Sequence, residues 1–317
     1  MATLRIGHLS TAYHSALVMM GRRMLEARGI TPDWQLFGTG PPMVKGLEEG
    51  RLDIGYIGLP PVIIGVARGA RIKCVAGGHE EGTVFIARSN HKNAAEAGSL
   101  RAALDQFAGN AIGSPTKGSI HDVILRHVLA REGMEGRVEV RNFTWTDFVA
   151  QAMEKGEIEA AVGTPSLQVS LSLVSGVDIK PLVHPHELWP HNPSYGIIAT
   201  ERLMNEQPEL LMEFLRSHKQ AIALMKRDPA AAARVSSDVV GVVGPEFFLA
   251  AYQVSPRYCA ALTDDYLAST MRFARTMREQ GYLSRDVAVE EIFDLRFIRQ
   301  AHPEPDHYGE PGNIALR

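Results

Sequence analysis

Cysteine is scarce in this chain: Cys74 and Cys259 are the two in 317 residues. They form no C-x-x-C pair and no zinc-ligand spacing, which argues against a thioredoxin-type redox motif and a zinc ribbon. Cys74 stands in the buried-strand pattern "RIKCVAGG" and Cys259 in "SPRYCAALTDDY", read as helical. Both are expected to behave as small buried apolar side chains, with a disulfide between them left open. An excess of positive charge is also missing. Lys and Arg number 33 against 36 Asp and Glu, a net charge of -3, so the basic footprint of a nucleic-acid binder is not present. No run approaches the roughly 18 uninterrupted apolar residues of a membrane-spanning helix. Met1-Ala2-Thr3 leads at once into the strand-like "LRIGHL", so no leader peptide is read at the amino end. The expected location is periplasmic or extracytoplasmic if a leader has been removed, and cytoplasmic otherwise.

Catalytic signatures are absent as well. "HELWPH", His186 to His191, has the wrong spacing for the H-E-x-x-H zinc helix, and Pro190 breaks the helix. His184, His186 and His191 stay as loose metal candidates, but neither a metal nor a cofactor is expected. There is no G-x-S-x-G elbow. "GSPTKGS", Gly113 to Ser119, has the glycine spacing of a phosphate loop but lacks the Lys-Ser/Thr pair after the last glycine. Nucleoside triphosphate binding is therefore rejected.

What the chain does contain is alternation. Strands at "LRIGHL", "DWQLFG", "LDIGYIG" and "IKCVAGG" are separated by helical segments. The first of these, "SALVMMGRRMLEARG", is read as one helix ending at Gly29. Strands separated by helices of this length imply parallel βαβ units. "TVFIARSN" follows as an alternating strand, then "HKNAAEAGS" as a polar linker. A second set begins near Phe107, with strand "NAIGSP", helix "SIHDVILRHVLAREGM" and strand "VEVRNFT". From Leu210 onward the pattern is almost wholly helical, and the tail from Ala301 is polar and rich in proline and glycine.

One phrase occurs twice. "GLEEGRLDIGYIGLPP", Gly46 to Pro61, returns as "AMEKGEIEAAVGTPS", Ala152 to Ser166. Aligning Gly50 with Gly156 sets Leu47 on Met153 and Asp53 on Glu159. Each copy reads as helix, glycine stop, buried strand and then G-x-P. In open α/β sheets the carboxyl ends of strands are where ligands bind, so two such ends facing each other make a cleft.

These segments, in this order over residues 4 to 285, resemble the substrate-binding proteins of nitrate/sulfonate/taurine-type ABC importers and the related thiamine-pyrimidine-precursor binders. The matching stretches are "LRIGHLS", "MVKGLEEGRLDIGYIGLPP", "AIGSPTKGSIHDVILRHVLAREGM", "FVAQAMEKGEIEAAVGTPS", "NPSYGIIATERLM" and "PAAAARVSSDVVGV". The resemblance implies an α/β class and the type II periplasmic-binding-protein fold, two α/β lobes joined by two crossover segments. The candidate crossings are "TVFIARSN" and "SYGIIAT". Residues 1–88 are expected in lobe one, 89–196 in lobe two, 197–300 as a mostly helical return to lobe one, and 301–317 as a polar tail.

The implied function is binding of a small anionic organic compound, such as a sulfonate or carboxylate, for ABC-type import. The implied partners are that small-molecule ligand and a transporter permease, with no nucleic acid, and a monomer is expected. The resemblance also admits an enzyme on the same fold, of the desulfinase, menaquinone-pathway or pyrimidine-synthase kind. A ligand-sensing domain is the third reading, for which no helix-turn-helix segment is found.

The candidate ligand contacts lie at strand ends. Ser10, Thr11 and Tyr13 follow the first strand, with a helix-capping role as the competing reading. Thr39 and Gly40 open a helix whose N–H groups attract anions. Leu59 and Pro60 belong to the first G-x-P corner and Thr164 to the second. Thr116, Lys117 and Ser119 open the helix of the second set, with Lys117 as a charge-assisted donor to an anion. Trp145 either stacks on a flat ligand or packs in the core. Glu80 and Thr83 precede the first crossing, and Tyr195 lies at the second. Glu80 and Glu81 are expected at a solvated rim, or facing a cation or a hinge lysine.

Overall fold

A computed structural model describes residues 2–309. Its ten strands form two five-stranded sheets with the same plan. In the first, β1 (Ala2–Leu9) lies between β2 (Ile30–Phe37) and β3 (Ile54–Ile57), parallel to both, and β10 (Pro193–Thr200) runs antiparallel between β3 and β4 (Ile72–Glu80). In the second, β6 (Ala111–Ser114) lies parallel between β7 (Glu139–Asn142) and β8 (Ala160–Gly163). There β5 (Val84–Arg88) runs antiparallel between β8 and β9 (Ile179–Val183).

The antiparallel strands have a simple cause. A parallel neighbour needs a helical crossover to carry the chain back to the start of the sheet. After β4 the chain instead passes directly from the carboxyl end of one sheet to the same end of the other. β5 therefore begins where its neighbours finish. β10 does the same on the return, after β9 and the helix Pro185–Leu188. The sheet change thus falls within residues 81–83 and again within 184–192. Val84–Arg88, set in the first lobe by a boundary at 88, pairs in the second sheet. Pro193–Gly196, set in the second lobe, pairs in the first.

The repeated phrase is repeated in its hydrogen bonds. Gly50 and Gly156 both adopt left-handed φ, +68° and +72°. Gly50 N–H donates to the Leu47 carbonyl and Gly156 N–H to that of Met153, each at 3.1 Å. A residue with Cβ meets its own carbonyl in that conformation, so glycine ends both helices.

Other expectations are revised. The long first helix stops early, at Ser15–Gly21, followed by turns and a 3-10 turn, Glu26–Arg28. The backbone of Gly21 presses so closely on helix Pro229–Val240 that an added Cβ would sit 2.5 Å from Val235. The polar linker holds a short helix, Ala94–Ala97, because Asn93 and Glu96 form a capping box. Both faces of β5 are buried rather than alternating, because its neighbours and the helices cover it. Cys259 lies in an extended segment between helices Pro245–Val254 and Asp264–Glu279, not in a helix, and Thr263 caps the latter. The tail packs against the body as far as it is described. Tyr308 is buried and its hydroxyl donates to the Ala261 carbonyl at 3.0 Å; residues 310–317 lie outside the described residues.

The core follows from this layout. Helix Pro208–Arg227 buries Leu211, Leu215, His218, Ile222 and Met225 at spacings of four and three, one face of a helix. A second cluster joins the sheets behind the cleft through helices Leu59–Ala67, Ile120–Arg131 and Asp264–Glu279, with Trp189 stacked on Phe273 at 4.1 Å.

Candidate functional site

A cavity of ≈ 90 Å³ opens between the carboxyl ends of the two sheets. Four helices of nine or more residues begin at its wall: Gly40–Glu48 and Leu59–Ala67 from the first sheet, Ile120–Arg131 and Thr146–Glu154 from the second. Its polar lining is mostly hydroxyl, from Ser10, Thr11, Tyr13, Thr39, Ser119, Thr146, Thr164, Ser166, Ser170 and Ser194. No lysine or arginine lines it among the described residues, and Asp147, which is exposed, is its one carboxylate.

The two histidines of the lining are neutral. Burial pushes His121 down to about 4 and His14 well below the ordinary imidazole value, with His8, His79 and His218 adding repulsion at His14. Nδ1 of His14 is buried without a hydrogen-bond partner among the described residues. An orphaned buried polar atom beside a cavity is costly unless something meets it there. Beneath His14, Ser15 Oγ contacts His218 Nδ1 at 2.8 Å, and His218 Nε2 donates to the Gly77 carbonyl at 2.8 Å.

The structure brings seven of the sequence candidates to this cavity: Ser10, Thr11, Tyr13, Thr39, Gly40, Ser119 and Thr164. Eight lie elsewhere. Lys117 is exposed and off the lining, because the turn Pro115–Gly118 directs it to solvent. Thr116 holds that turn, its hydroxyl donating to the carbonyls of Phe143 and Thr144 at 3.3 and 3.2 Å. Leu59 and Pro60 are buried in the core behind the corner they make. Tyr195 lies under the floor, its hydroxyl accepting the Ser15 N–H. Trp145 caps helix Thr146–Glu154 and packs across the mouth on Gly38, where a Cβ would come within 2.5 Å of the indole.

Glu80 and Glu81 are buried at the crossing, 1% and 3% exposed, rather than at a wet rim. Glu80 Oε2 accepts from Arg257 Nη2 at 3.2 Å and lies 3.4 Å from His191 Nδ1. Glu81 Oε1 pairs with His186 Nδ1 at 2.7 Å and accepts the His191 N–H at 3.1 Å. This cluster ties the two crossings together: of the alternatives, a solvated rim and a hinge lysine are not found, and the carboxyl groups face an arginine and two histidines. Thr83 is buried in the same joint, between His121 Nδ1 at 3.1 Å and the Asn192 side-chain N–H at 3.0 Å.

Residues that sequence reasoning missed include Ser166, Ser170, Ser194 and Asp147. Ser166 Oγ accepts the Ala12 N–H across the cleft at 3.3 Å. Ser166 stands at a helix start, Ser170 just past the end of the same short helix and Ser194 in β10, and single serines at such places carry no shared sequence signal. His14 directly follows Tyr13, one of the candidates, and its position after a strand end was the available signal.

The family model that matches the sequence spans residues 1–240, under the description NMT1-like family. The chain belongs to the NMT1-like family. A relative in Bacillus subtilis (strain 168), named as a candidate aliphatic sulfonates-binding protein, is 22% identical over 290 residues, covering 90% of this chain and 82% of that one. Two solved structures share this NMT1-like fold at TM-score 0.77. One is the alkanesulfonate-binding protein SsuA from Xanthomonas axonopodis pv. citri bound to MOPS, with 19% identity over 92% of this chain and 98% of that chain. The other is the periplasmic aliphatic sulphonate binding protein SsuA from Escherichia coli, with 17% identity over 100% and 99%. The periplasmic nitrate-binding protein NrtA from Synechocystis PCC 6803 follows at TM-score 0.75 and 13% identity, over 95% and 88%. These neighbours have the periplasmic-binding-protein fold expected from the sequence, and they are binding proteins rather than enzymes.

Proposed function

We propose that this NMT1-like chain is the binding component of an ABC-type importer and that its cleft holds a small organic anion of the sulfonate class. The observation that carries the reading is the cavity itself: four helix starts and many hydroxyls, with no cationic side chain on the lining among the described residues. Each helix start favours an anion by about 0.3–2 kcal/mol. Pro41, Pro42, Pro60 and Pro61 remove N–H donors from the two first-sheet helices, which leaves those two mainly their dipoles. Direct backbone donors therefore come from the second-sheet helices, which have no proline in their first turn. A weakly hydrated monoanion whose charge spreads over three oxygens suits many neutral donors and no counter-charge. A dianion does not, since its desolvation needs a compensating cation, and Asp147 adds repulsion.

The ligand is taken up, held as the lobes close, and passed unchanged to a permease on the outer side of a membrane; the relatives' names, sulfonate-binding and in one case periplasmic, support the binding step and its place. Both cysteines lie off the cavity lining, so no thiol is offered to the ligand. Isothermal titration with an alkanesulfonate, the matching carboxylate and the matching phosphonate tests the reading. The sulfonate is expected to bind one to one and tightest. Asp147→Asn is expected to tighten it by about twofold to fivefold, the scale of an exposed charge. Tighter binding of the phosphonate dianion, or of an amine, would overturn the anion assignment, and steady conversion of the sulfonate would overturn the binding-protein assignment.

A further inference from the structure

The tail brings two histidines to the second cysteine. Cys259 Sγ lies 3.4 Å from His302 Nε2 and 3.6 Å from His307 Nδ1, and the three ligand atoms are all within 4.8 Å of one another. Cys259 is fully buried and His302 nearly so, while His307 is half-buried. A tetrahedral zinc ion with Zn–S of about 2.3 Å and Zn–N of about 2.05 Å sets sulfur and nitrogen about 3.6 Å apart. Both observed separations match that edge.

The surroundings fit as well. His302 Nδ1 lies 3.1 Å from the Glu304 carbonyl, which can only accept, so the proton sits on Nδ1 and the Nε2 lone pair faces the sulfur. Metal-bound histidines are held in this way, with the far nitrogen donating to a carbonyl or carboxylate. The sulfur in turn accepts backbone N–H groups from Ala261 at 3.4 Å and His307 at 3.3 Å, donors that favour a thiolate. Thiolate with imidazole is a donor set for zinc or copper rather than for magnesium or calcium.

We propose that Cys259, His302 and His307 form a zinc site that staples the carboxyl-terminal tail to the segment beside β4. Zn²⁺ replaces the thiol proton, which leaves to solvent, and a water completes the fourth position. The staple acts next to the hinge, because the cysteine segment runs along β4. Gly77 N–H donates to Ala260, Glu80 N–H donates to Arg257, and His79 bridges to Tyr258. The site is separate from the ligand cavity, none of whose lining residues it shares.

The test is metal binding by the intact chain. Chelator-treated protein is titrated with Zn²⁺ against a chromophoric competitor, and separately with Co²⁺. One equivalent of zinc is expected, with thiolate-to-cobalt charge-transfer absorption in the near ultraviolet. Cys259→Ser, His302→Ala and His307→Ala should each weaken zinc by more than roughly 100-fold, beyond the 10–100-fold usual for an outer-shell partner. Circular dichroism checks the fold of each variant, and His307→Ala, at the most exposed position, serves if the others misfold. The cobalt spectrum needs no variant. Zinc bound equally well by the Cys259→Ser and His307→Ala chains, or a cobalt complex without thiolate absorption, would overturn the site.

Discussion

Mild acid should unfold this protein. His79, His121 and His218 are fully buried, and burial holds each imidazole at about 4 against 6.5 when free. Between those values the unfolded chain binds protons that the folded chain does not. The stability each contributes is therefore present above about pH 6.5 and lost as pH falls towards about 4. The gap, 6.5 less about 4, is about 2.5 pH units, worth about 3 kcal/mol per histidine at about 1.36 kcal/mol each. Three such groups approach 10 kcal/mol, comparable to the roughly 5–15 kcal/mol that holds an ordinary domain folded. Glu80 works the other way: burial raises its carboxyl despite Arg257 and His191, so its contribution weakens as pH rises. It is one group against three. Urea unfolding followed by circular dichroism in half-unit steps from about pH 7.5 to about 4.5 reads the effect as a falling midpoint. His218→Leu removes one titrating group and should flatten the slope by up to one proton, while also losing the bonds to Ser15 and Gly77. A midpoint that stays level from about pH 6.5 to about 5 would refute the reasoning.

Three further outcomes follow from the geometry. Gly38→Val places a side chain against the Trp145 indole, an overlap costing about 1–3 kcal/mol in a packed site. Ligand affinity should fall about tenfold, with an open shape in small-angle scattering, and Trp145→Ala in the same chain should restore both; no effect on affinity would show that the mouth does not close on this contact. Lys117→Ala should change ligand affinity by less than about twofold, since an exposed lysine off the lining contributes little; a tenfold loss in the titration would return it to the site. Gly50→Ala and Gly156→Ala should each destabilise by about 1–2 kcal/mol, from left-handed backbone at +68° and +72°. A urea midpoint equal to that of the parent would contradict the shared helix stop.

Local chemistry was readable in the chain and long-range chemistry was not. The glycine stops at Gly50 and Gly156, the prolines opening helices at Pro41 and Pro165, and the buried strands between them are set by neighbours in sequence. They revealed a duplicated module and a cleft at strand ends. Seven cavity residues were found because helix starts project into that cleft. Lys117 was misplaced because one turn of backbone decides whether a lysine faces ligand or water. Glu80 and Glu81 were misplaced because their partners, Arg257, His186 and His191, lie over 100 residues away. Gly21 sits against Val235, over 200 residues on, and the neighbours of Cys259 stand more than 40 residues on, in a tail that composition marks as polar. Contacts of this span leave no periodicity to read.

The most direct test of the binding account is a crystal structure of the chain with an alkanesulfonate, with the ligand sulfur located by anomalous scattering. The account predicts a sulfur peak in the cavity between Thr39, Ser119 and Thr164, its oxygens within hydrogen-bond reach of the starts of helices Ile120–Arg131 and Thr146–Glu154. A sulfonate held instead at Lys117 or on the outer surface, with this cavity unchanged, would contradict it.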